Sequence, residues 1–600
     1  MSEFEPSGLG RTIFSDRYAR TPEETWQEAC DRVATHVAQA EENGKVKKYG
    51  DRFREQLSSG RFNPGGRIWY GAGRPKAQLL NCFVVPTGDS REAWGKTAND
   101  TIIISGLMGG VGINLSPIRY RGAAIKGTGG EATGAVSFGQ MINAIGNTIR
   151  GGGGRRMALM LSLELNHPDV EEFLKVKLDL KELNNANISL VIPENMPTER
   201  FQEMVENNED IELEFNGVPS GKTISAGWLW GMLVENAYKS GEPGILNGYL
   251  ANKMSNLWYH KNLICTNPCG EIWLEEYGCC DLGALVLPRF VEDGKFNWDA
   301  FDESIRLGVR FLDNVLSVNH YPLAEIKQNC EDVRRIGLGV MGLHTMLLEL
   351  GMKYDSPEAF KFVERLFNTM KNTAYDASIN LAIEKGAFPA YDPRFLESGF
   401  VKTLKRGIRN KIKEHGIRNC ALMTIAPTGT TSMVAGVSSG IEPIAAPVYW
   451  RNYFKPTGEL EQELVVEDAF YKYPELVQSA IDVSLRGHFE MQKIVQKHID
   501  NAVSKTINMA EDADIEEFGK LWLEYLPHCK GTTVYRFGSR ENEPINPVPR
   551  EQWSEVVRGT EVHDQMTVEE FMAIDCVGGV CEVPQVWGQP PVPEKMIDVV

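Results

Sequence analysis

The chain has 600 residues, 42% apolar and 24% charged, with a formal net charge of −18 and eleven cysteines. That length supports a large buried core, and the acidic balance excludes a protein that coats nucleic acid through bulk charge. The odd cysteine count speaks against a pure disulfide scaffold.

The first residues, MSEFEPSGLGRTIF, are acidic and polar and read as neither a signal nor a transit peptide. No apolar run is long enough to span a bilayer, so a cytoplasmic location with reduced thiols is expected. From about Pro22 to Leu57 the pattern predicts helix, opened by Thr21-Pro22-Glu23-Glu24 with a cap, a proline and acids in the first turn. From Gly65 to Ser162, short apolar runs such as Cys82-Phe83-Val84-Val85 and Thr101-Ile102-Ile103-Ile104 alternate with glycine clusters. Further on, Ile188–Ile192 reads as strand and Ala226–Tyr238 as helix. The alternation predicts an α/β fold with glycine-rich loops at strand ends, where ligands bind. Residues 541–600 are proline-rich and weakly patterned, which predicts a mobile tail.

Several short segments carry chemistry. Asn267-Pro268-Cys269-Gly270-Glu271 has the residues of a type I turn, which puts a thiol at its tip between an amide and a carboxylate. Cys280 follows eleven residues after Cys269, and Cys82 and the pair Cys576/Cys581 complete a set of candidate reactive sulfurs. Cys30, Cys330, Cys420 and Cys529 read as ordinary packed thiols. Gly109-Gly110-Val111-Gly112 and Gly127-Thr128-Gly129-Gly130 allow close backbone approach of a nucleotide, or serve only as tight loops. Neither is a phosphate loop of the Gly-Lys-Ser/Thr type or a dinucleotide fingerprint. Gly151–Gly154 followed by Arg155 and Arg156 is a flexible loop with anion affinity. Pro427-Thr428-Gly429-Thr430-Thr431 offers amides and hydroxyls at a possible helix start, which suits either phosphate or simple capping. Cys576 and Cys581, with four residues between them, lack a second pair at zinc spacing and suit disulfide exchange better. Glu164-Leu165-Asn166-His167 is the one Glu-x-x-His, where a di-metal carboxylate site needs two. No metal site is expected.

Taken in order, these segments resemble the large catalytic subunit of ribonucleotide reductase from about Pro64 to Cys581. The resemblance is carried by Asn81-Cys82-Phe83-Val84, Gly109–Gly112, Asn267–Glu271, Cys280-Asp281-Leu282-Gly283, Arg335–Gly342, Pro427–Thr430 and Met433–Pro443. It implies a ten-stranded α/β barrel (64–540) with a central finger loop carrying Cys269, preceded by a small helical region (1–63) and followed by the tail (541–600). It further implies that Cys269 holds a transient thiyl radical, that Glu271 is the general base, and that Asn267 hydrogen-bonds the substrate. Cys82 and Cys280 would supply reducing equivalents, and Cys576 and Cys581 would re-reduce them with thioredoxin or a similar donor behind. Asn81, Gly110 and Pro427–Thr431, with Thr428, Gly429 and Thr430 between, would hold the ribonucleotide, a diphosphate by resemblance. Asp89, Ser90 and Arg119 match a specificity site for a dNTP or ATP effector. Arg155 and Arg156 lie on the loop that would relay effector identity, normally across a homodimer. No membrane or nucleic-acid partner is expected.

Three radical sources occur in the family. No glycyl-radical motif is present, and no Tyr-Tyr pair, which a separate radical-generating metal subunit would need. Thr533-Val534-Tyr535-Arg536 and Ile425–Thr430 resemble the adenosylcobalamin-dependent type. The tail points the other way: its cysteine spacing is that of the metal-subunit type, and nineteen residues follow it. There is little room before Cys82 for an ATP-binding activity domain, so no on/off site is expected. Two other classes compete: a nucleotide-binding regulatory protein on the same barrel, and a thiol–metal structural protein. The first leaves the placed cysteines unexplained, and the second lacks ligand spacing.

Overall fold

A computed structural model describes residues 3–149, 157–177, 182–454, 460–539, 545–553, 575–577 and 580–582. It opens with three helices, Gly8–Arg17, Trp26–Ala38 and Val46–Ser58. The single helix expected over Pro22–Leu57 is therefore two, and the first helix was not foreseen. The start moves from Thr21 to Thr25 because Glu28 stands three residues after it: Thr25 Oγ1 accepts from Glu28 N while Glu28 Oε2 accepts from Thr25 N at 2.8 Å. Residues 39–45 then break the helix through a largely exposed polar stretch containing Gly44, from which Glu41 turns into the interior. Trp26 is the centre of this layer. Its ring lies 4.6 Å from Trp69 and 5.3 Å from Phe14.

A mixed seven-stranded sheet follows. In spatial order it holds Thr506–Met509, Gly531–Arg536, Gly244–Asn247, Ala186–Ile192, Leu159–Glu164, Gly110–Asn114 and Cys82–Val84. The last five run parallel, and Gly531–Arg536 pairs antiparallel to Gly244–Asn247. A second sheet joins Phe62–Pro64, Leu282–Val286 and Gly337–Met341. Single bridges connect the two: Phe83 with Cys279, Leu338 with Met423, and Ile425 with Val503. Leu282–Val286 and Gly337–Met341 are buried at every position, as expected of strands covered on both faces. The strand read at Ile188–Ile192 and the helix read at Ala226–Tyr238 are present as Ala186–Ile192 and Ala226–Ser240. Thr101–Ile104 lies within the helix Arg91–Gly106, capped by Ser90.

The stretch expected to be a mobile tail begins differently. Ile545–Pro547 pairs antiparallel with Val448–Phe454, and Val548 and Trp553 are buried there. Much of the remaining tail lies outside the described residues.

The helical layer is locked to the barrel by a buried charge cluster. Arg310, on helix Trp298–Val318, donates to Glu41 at 2.7 and 2.6 Å and to Glu384 at 2.8 and 2.9 Å. Burial would raise the Glu41 carboxyl, but Arg310, Asn314 and Lys385 hold it below its ordinary value. Hydrogen bonds from Arg310 take Glu384 to about 2. Removing one partner of a buried pair strands the other charge. Arg310→Met should therefore destabilise the fold by about 3–5 kcal/mol, read by chemical denaturation at neutral pH. Both carboxyls are depressed in the folded state, so their contribution is present above the ordinary carboxylate value of 4.5 and fades as pH falls towards about 2. The acid sensitivity of stability in that window should be weaker in the variant than in the parent chain.

Candidate active site

The Asn267–Glu271 turn caps a short hairpin in which Cys265–Thr266 pairs antiparallel with Trp273–Leu274. Gly270 N donates to Asn267 O at 3.0 Å, the bond that closes a β-turn, and Gly270 takes the positive φ of +78° that a glycine tolerates. Asn267 closes the wider loop as well. Its backbone N–H donates to Ile272 O at 3.2 Å, and its Oδ1 accepts from Ile272 N at 3.1 Å. From the neighbouring strand Asn187 Nδ2 donates to Pro268 O at 3.0 Å. Thr424 Oγ1 and Ala502 N both donate to Glu271 O, at 2.5 and 2.9 Å.

The barrel makes room for this hairpin by omitting side chains. A Cβ on Gly112 would stand 1.9 Å from Thr266 O. One on Gly110 would lie 3.0 Å from both Cys82 Sγ and Pro268 Cγ. Gly110 thus sits where the strand, the Cys82 sulfur and the turn converge. Cys82 and Cys280 share a backbone bond, Cys280 N donating to Cys82 O at 2.9 Å, and their thiols interact. Burial first, then the Cys82 thiol and the Glu271 charge, push the Cys280 thiol well above its ordinary value. Asn81 adjoins them: its N–H donates to Cys280 O at 3.1 Å and its O accepts from Gly110 N at 3.0 Å.

The polar groups around the turn are unusual for a protein interior. Asn81 Oδ1, Asn267 Nδ2 and Glu271 Oε2 are buried and have no hydrogen-bond partner among the described residues. Burial raises the Glu271 carboxyl to about 7, with the Asn267 side chain pulling the other way. A carboxyl so placed can exchange a proton near neutrality. Cys269 itself is exposed to a cleft whose walls include Ser189, Glu242, Thr532 and Tyr535. Cys82, Cys280 and Glu271 do not line that cleft.

The Pro427–Thr431 segment enters the short helix Gly429–Ala435 through Thr428, which adopts a left-handed φ of +55°. Thr428 Oγ1 accepts from Gly440 N at 2.8 Å, and Ser432 and Ser439 share a hydroxyl bond at 2.9 Å. The Ser438–Pro443 motif thus braces this loop. Ala426, just before it, packs with Cys82 and Cys280. Asp89, Ser90 and Arg119 form a separate group: Arg119 Nε donates to both Asp89 oxygens at 3.0 and 2.8 Å, and Ser90 Oγ caps the following helix. Arg155 and Arg156 lie outside the described residues. Cys576 and Cys581 are register partners across the antiparallel strands Asp575–Val577 and Val580–Glu582. His167, of the Glu-x-x-His segment, is buried, with Nε2 2.9 Å from Ile118 O and Nδ1 accepting from Asp169 N.

Sequence reasoning missed three contributors. Asn187 lies in an apolar strand that gives no hint of its bond to the turn. Thr424 precedes the recognised Pro427 loop by three residues but carries no motif of its own. Cys279, one residue before Cys280, and Cys330 form a buried thiol contact at 2.9 Å, where Cys330 was expected to be merely packed.

Comparison with known proteins agrees with this geometry. The family described as "Ribonucleotide reductase, barrel domain" matches residues 80–535, and "Ribonucleotide reductase, all-alpha domain" matches residues 4–77. The chain is 32% identical over 571 residues to the vitamin B12-dependent ribonucleoside-diphosphate reductase of Mycobacterium tuberculosis (strain H37Rv), covering 89% of this chain and 78% of that one. With the protein of that name from Thermoplasma acidophilum it shares 33% over 552 residues, 86% and 68% of the two chains. With the ribonucleoside-diphosphate reductase subunit alpha of Chlamydia muridarum it shares 29% over 482 residues, 71% and 45%. An all-alpha domain followed by a barrel domain is what both matches describe, and together they span most of the sequence: the chain belongs to the ribonucleotide reductases, enzymes that convert ribonucleotides to deoxyribonucleotides.

Proposed function

We propose that the chain reduces ribonucleoside diphosphates by thiyl-radical chemistry at Cys269. The observation that carries this reading is the convergence of Cys82, Cys280, Asn267 and Glu271 on the turn that bears Cys269. Counting residues 421–425 as a strand and leaving Phe62–Pro64 outside the ring, the strands of the two sheets and the bridges between them are read as a ten-stranded ring with the turn as its finger loop.

The Cys269 sulfur, as a radical, takes the ribose 3′-hydrogen. Glu271 accepts the 3′-hydroxyl proton, and Asn267 Nδ2 orients the sugar. The 2′-hydroxyl leaves as water with one thiol proton. Cys82 and Cys280 give up two electrons and two protons in all and end as a disulfide; Glu271 returns its proton to the 3′-oxygen, and Cys269 returns the hydrogen to C3′ and is left again as the radical. The buried, unpaired polar atoms of Asn81, Asn267 and Glu271 are the kind of groups that sugar hydroxyls satisfy. Pro427–Thr431 holds the phosphates. Cys576 and Cys581 exchange with the new disulfide, backed by a thioredoxin-class donor. Asp89, Ser90 and Arg119 take a nucleotide effector, acting through a homodimer.

The cofactor this reading favours is adenosylcobalamin, whose cobalt–carbon bond supplies the radical by homolysis. The residues suit it. Cys269 opens on a cleft that the reducing thiols do not line, walled by Gly244, Ser189 and Thr532 together with Met160, Glu242 and Tyr535. A second reading, radical delivery from a separate metal subunit, draws on Tyr535, which is buried, lines the same cleft and packs 5.3 Å from Phe537. Its neighbour Arg536 is committed elsewhere, donating to Tyr238 O and Glu511 O at 3.0 Å each.

Purified chain supplied with adenosylcobalamin, a small dithiol and a ribonucleoside diphosphate should turn over with no second protein; turnover only on adding a metal-containing subunit would favour the relay. Cys269→Ala should abolish turnover and leave nucleotide binding intact by calorimetry. Cys576→Ser and Cys581→Ser should keep activity with the small dithiol and lose it with thioredoxin. Because Glu271 must be ionised to act as base, kcat/KM should fall as pH drops through about 7. Glu271→Gln should cost about 10²–10⁴-fold in rate and erase that limb of the profile.

A further inference from the structure

The Pro427–Thr431 end of the site is not built by the barrel alone. Helix Gly8–Arg17 lies so close to Gly429–Ala435 that a Cβ on Gly10 would stand 2.6 Å from Met433 O. Tyr18 follows that helix directly, is only 7% exposed, and shares a hydroxyl–hydroxyl hydrogen bond with Thr430. Its ring is pinned against Gly66, where a Cβ would meet Cε1 at 2.9 Å and the hydroxyl oxygen at 3.0 Å. Beside it, Asn63 Nδ2 donates to Thr431 O at 3.1 Å, while Asn63 Oδ1 accepts from Trp69 Nε1 at 2.7 Å. A Cβ on Gly65 would lie 2.8 Å from Asn81 Oδ1. Residues that precede the barrel strands therefore meet Asn81, Thr430 and Thr431 together.

We propose that Tyr18 is a substrate-positioning residue, which fixes the Thr430 hydroxyl so that its proton is presented to a phosphate oxygen. The inference rests on reading Pro427–Thr431 as the phosphate seat. A threonine hydroxyl has one proton and two acceptor sites. The phenol is the more acidic partner and donates to Thr430 Oγ1, which leaves the threonine proton to be donated onward. Accepting one bond strengthens the next along such a chain, and an anionic oxygen is the acceptor that gains most. Without the phenol, Thr430 can turn its proton to a backbone carbonyl, as Thr431 already does to Thr428 O at 3.2 Å. No covalent bond changes. The role is to hold one donor in place.

The test is steady-state kinetics on the full-length enzyme with CDP as substrate. Tyr18→Phe keeps the packed ring and removes only the hydroxyl. It should raise KM about five-fold, the worth of one ordinary hydrogen bond, with kcat within about two-fold. Thr430→Val should do the same, and Tyr18→Phe should add nothing in the Thr430→Val background, since it acts only through that hydroxyl. Thr430→Ser, which keeps the hydroxyl, should retain both the low KM and the response to Tyr18→Phe. If Thr430→Val raises KM and Tyr18→Phe does not, the role of Tyr18 is overturned while the phosphate seat stands. If Thr430→Val leaves KM unchanged, the phosphate seat itself falls. A loss of kcat and melting temperature in Tyr18→Phe at constant KM would reduce Tyr18 to a packing residue and defeat the inference.

Discussion

Everything at the centre of this molecule depends on backbone being allowed to touch backbone. The hairpin that carries Cys269 occupies space that side chains would normally fill, because Gly112 leaves the Thr266 carbonyl room that even a methyl group would deny. Gly339 does the same for Thr424 O, where a Cβ would stand 2.4 Å away. Thr424 in turn supports Glu271 through its carbonyl. A single alanine at either glycine would displace main chain, not a flexible tip, and interior packing has little slack to absorb that.

The same enclosure sets the chemistry. A carboxylate, an amide and the Cys280 thiol are withdrawn from water beside one turn, with Cys82 half-buried next to them, and burial is the leading cause of the shifts at Glu271 and Cys280. Such a cluster is costly in a folded interior. Several buried charges among the described residues are paired: Glu275 with Arg335, Asp313 with Arg334, Glu41 with Arg310. Glu271 Oε2 and both Asp281 oxygens are instead buried without a hydrogen-bond partner among the described residues, and burial pushes both carboxyls up; of the two, Glu271 stands on the turn itself. Those paired clusters stiffen the frame around a site whose own polar atoms are left uncommitted.

Much of this was legible in the sequence because the informative features are local. The Asn-Pro-Cys-Gly order encodes its own turn, and the observed Gly270–Asn267 bond is the one such a turn makes. Glycine runs announced close approach, although the partner they admit is the hairpin and the Cys82 sulfur. What stayed hidden is contact between distant segments. Nothing in the first twenty residues hints that Tyr18 reaches Thr430, and the helix there lacks a side-chain cap to announce it. The start of the second helix was misplaced by four residues because Thr21-Pro22 and Thr25 offer rival signals, and only the reciprocal bond with Glu28 decides between them. Thr101–Ile104 looked like the apolar runs of strands, yet Ser90 caps a helix through it.

Cys269 borders a cleft that Cys82 and Cys280 do not share. The sulfur is therefore open on a side that its two neighbours do not reach, and a bulky visitor to that cleft meets this thiol and not theirs. An alkylating reagent too large for the interior should for the same reason find this cysteine well before it finds its two neighbours.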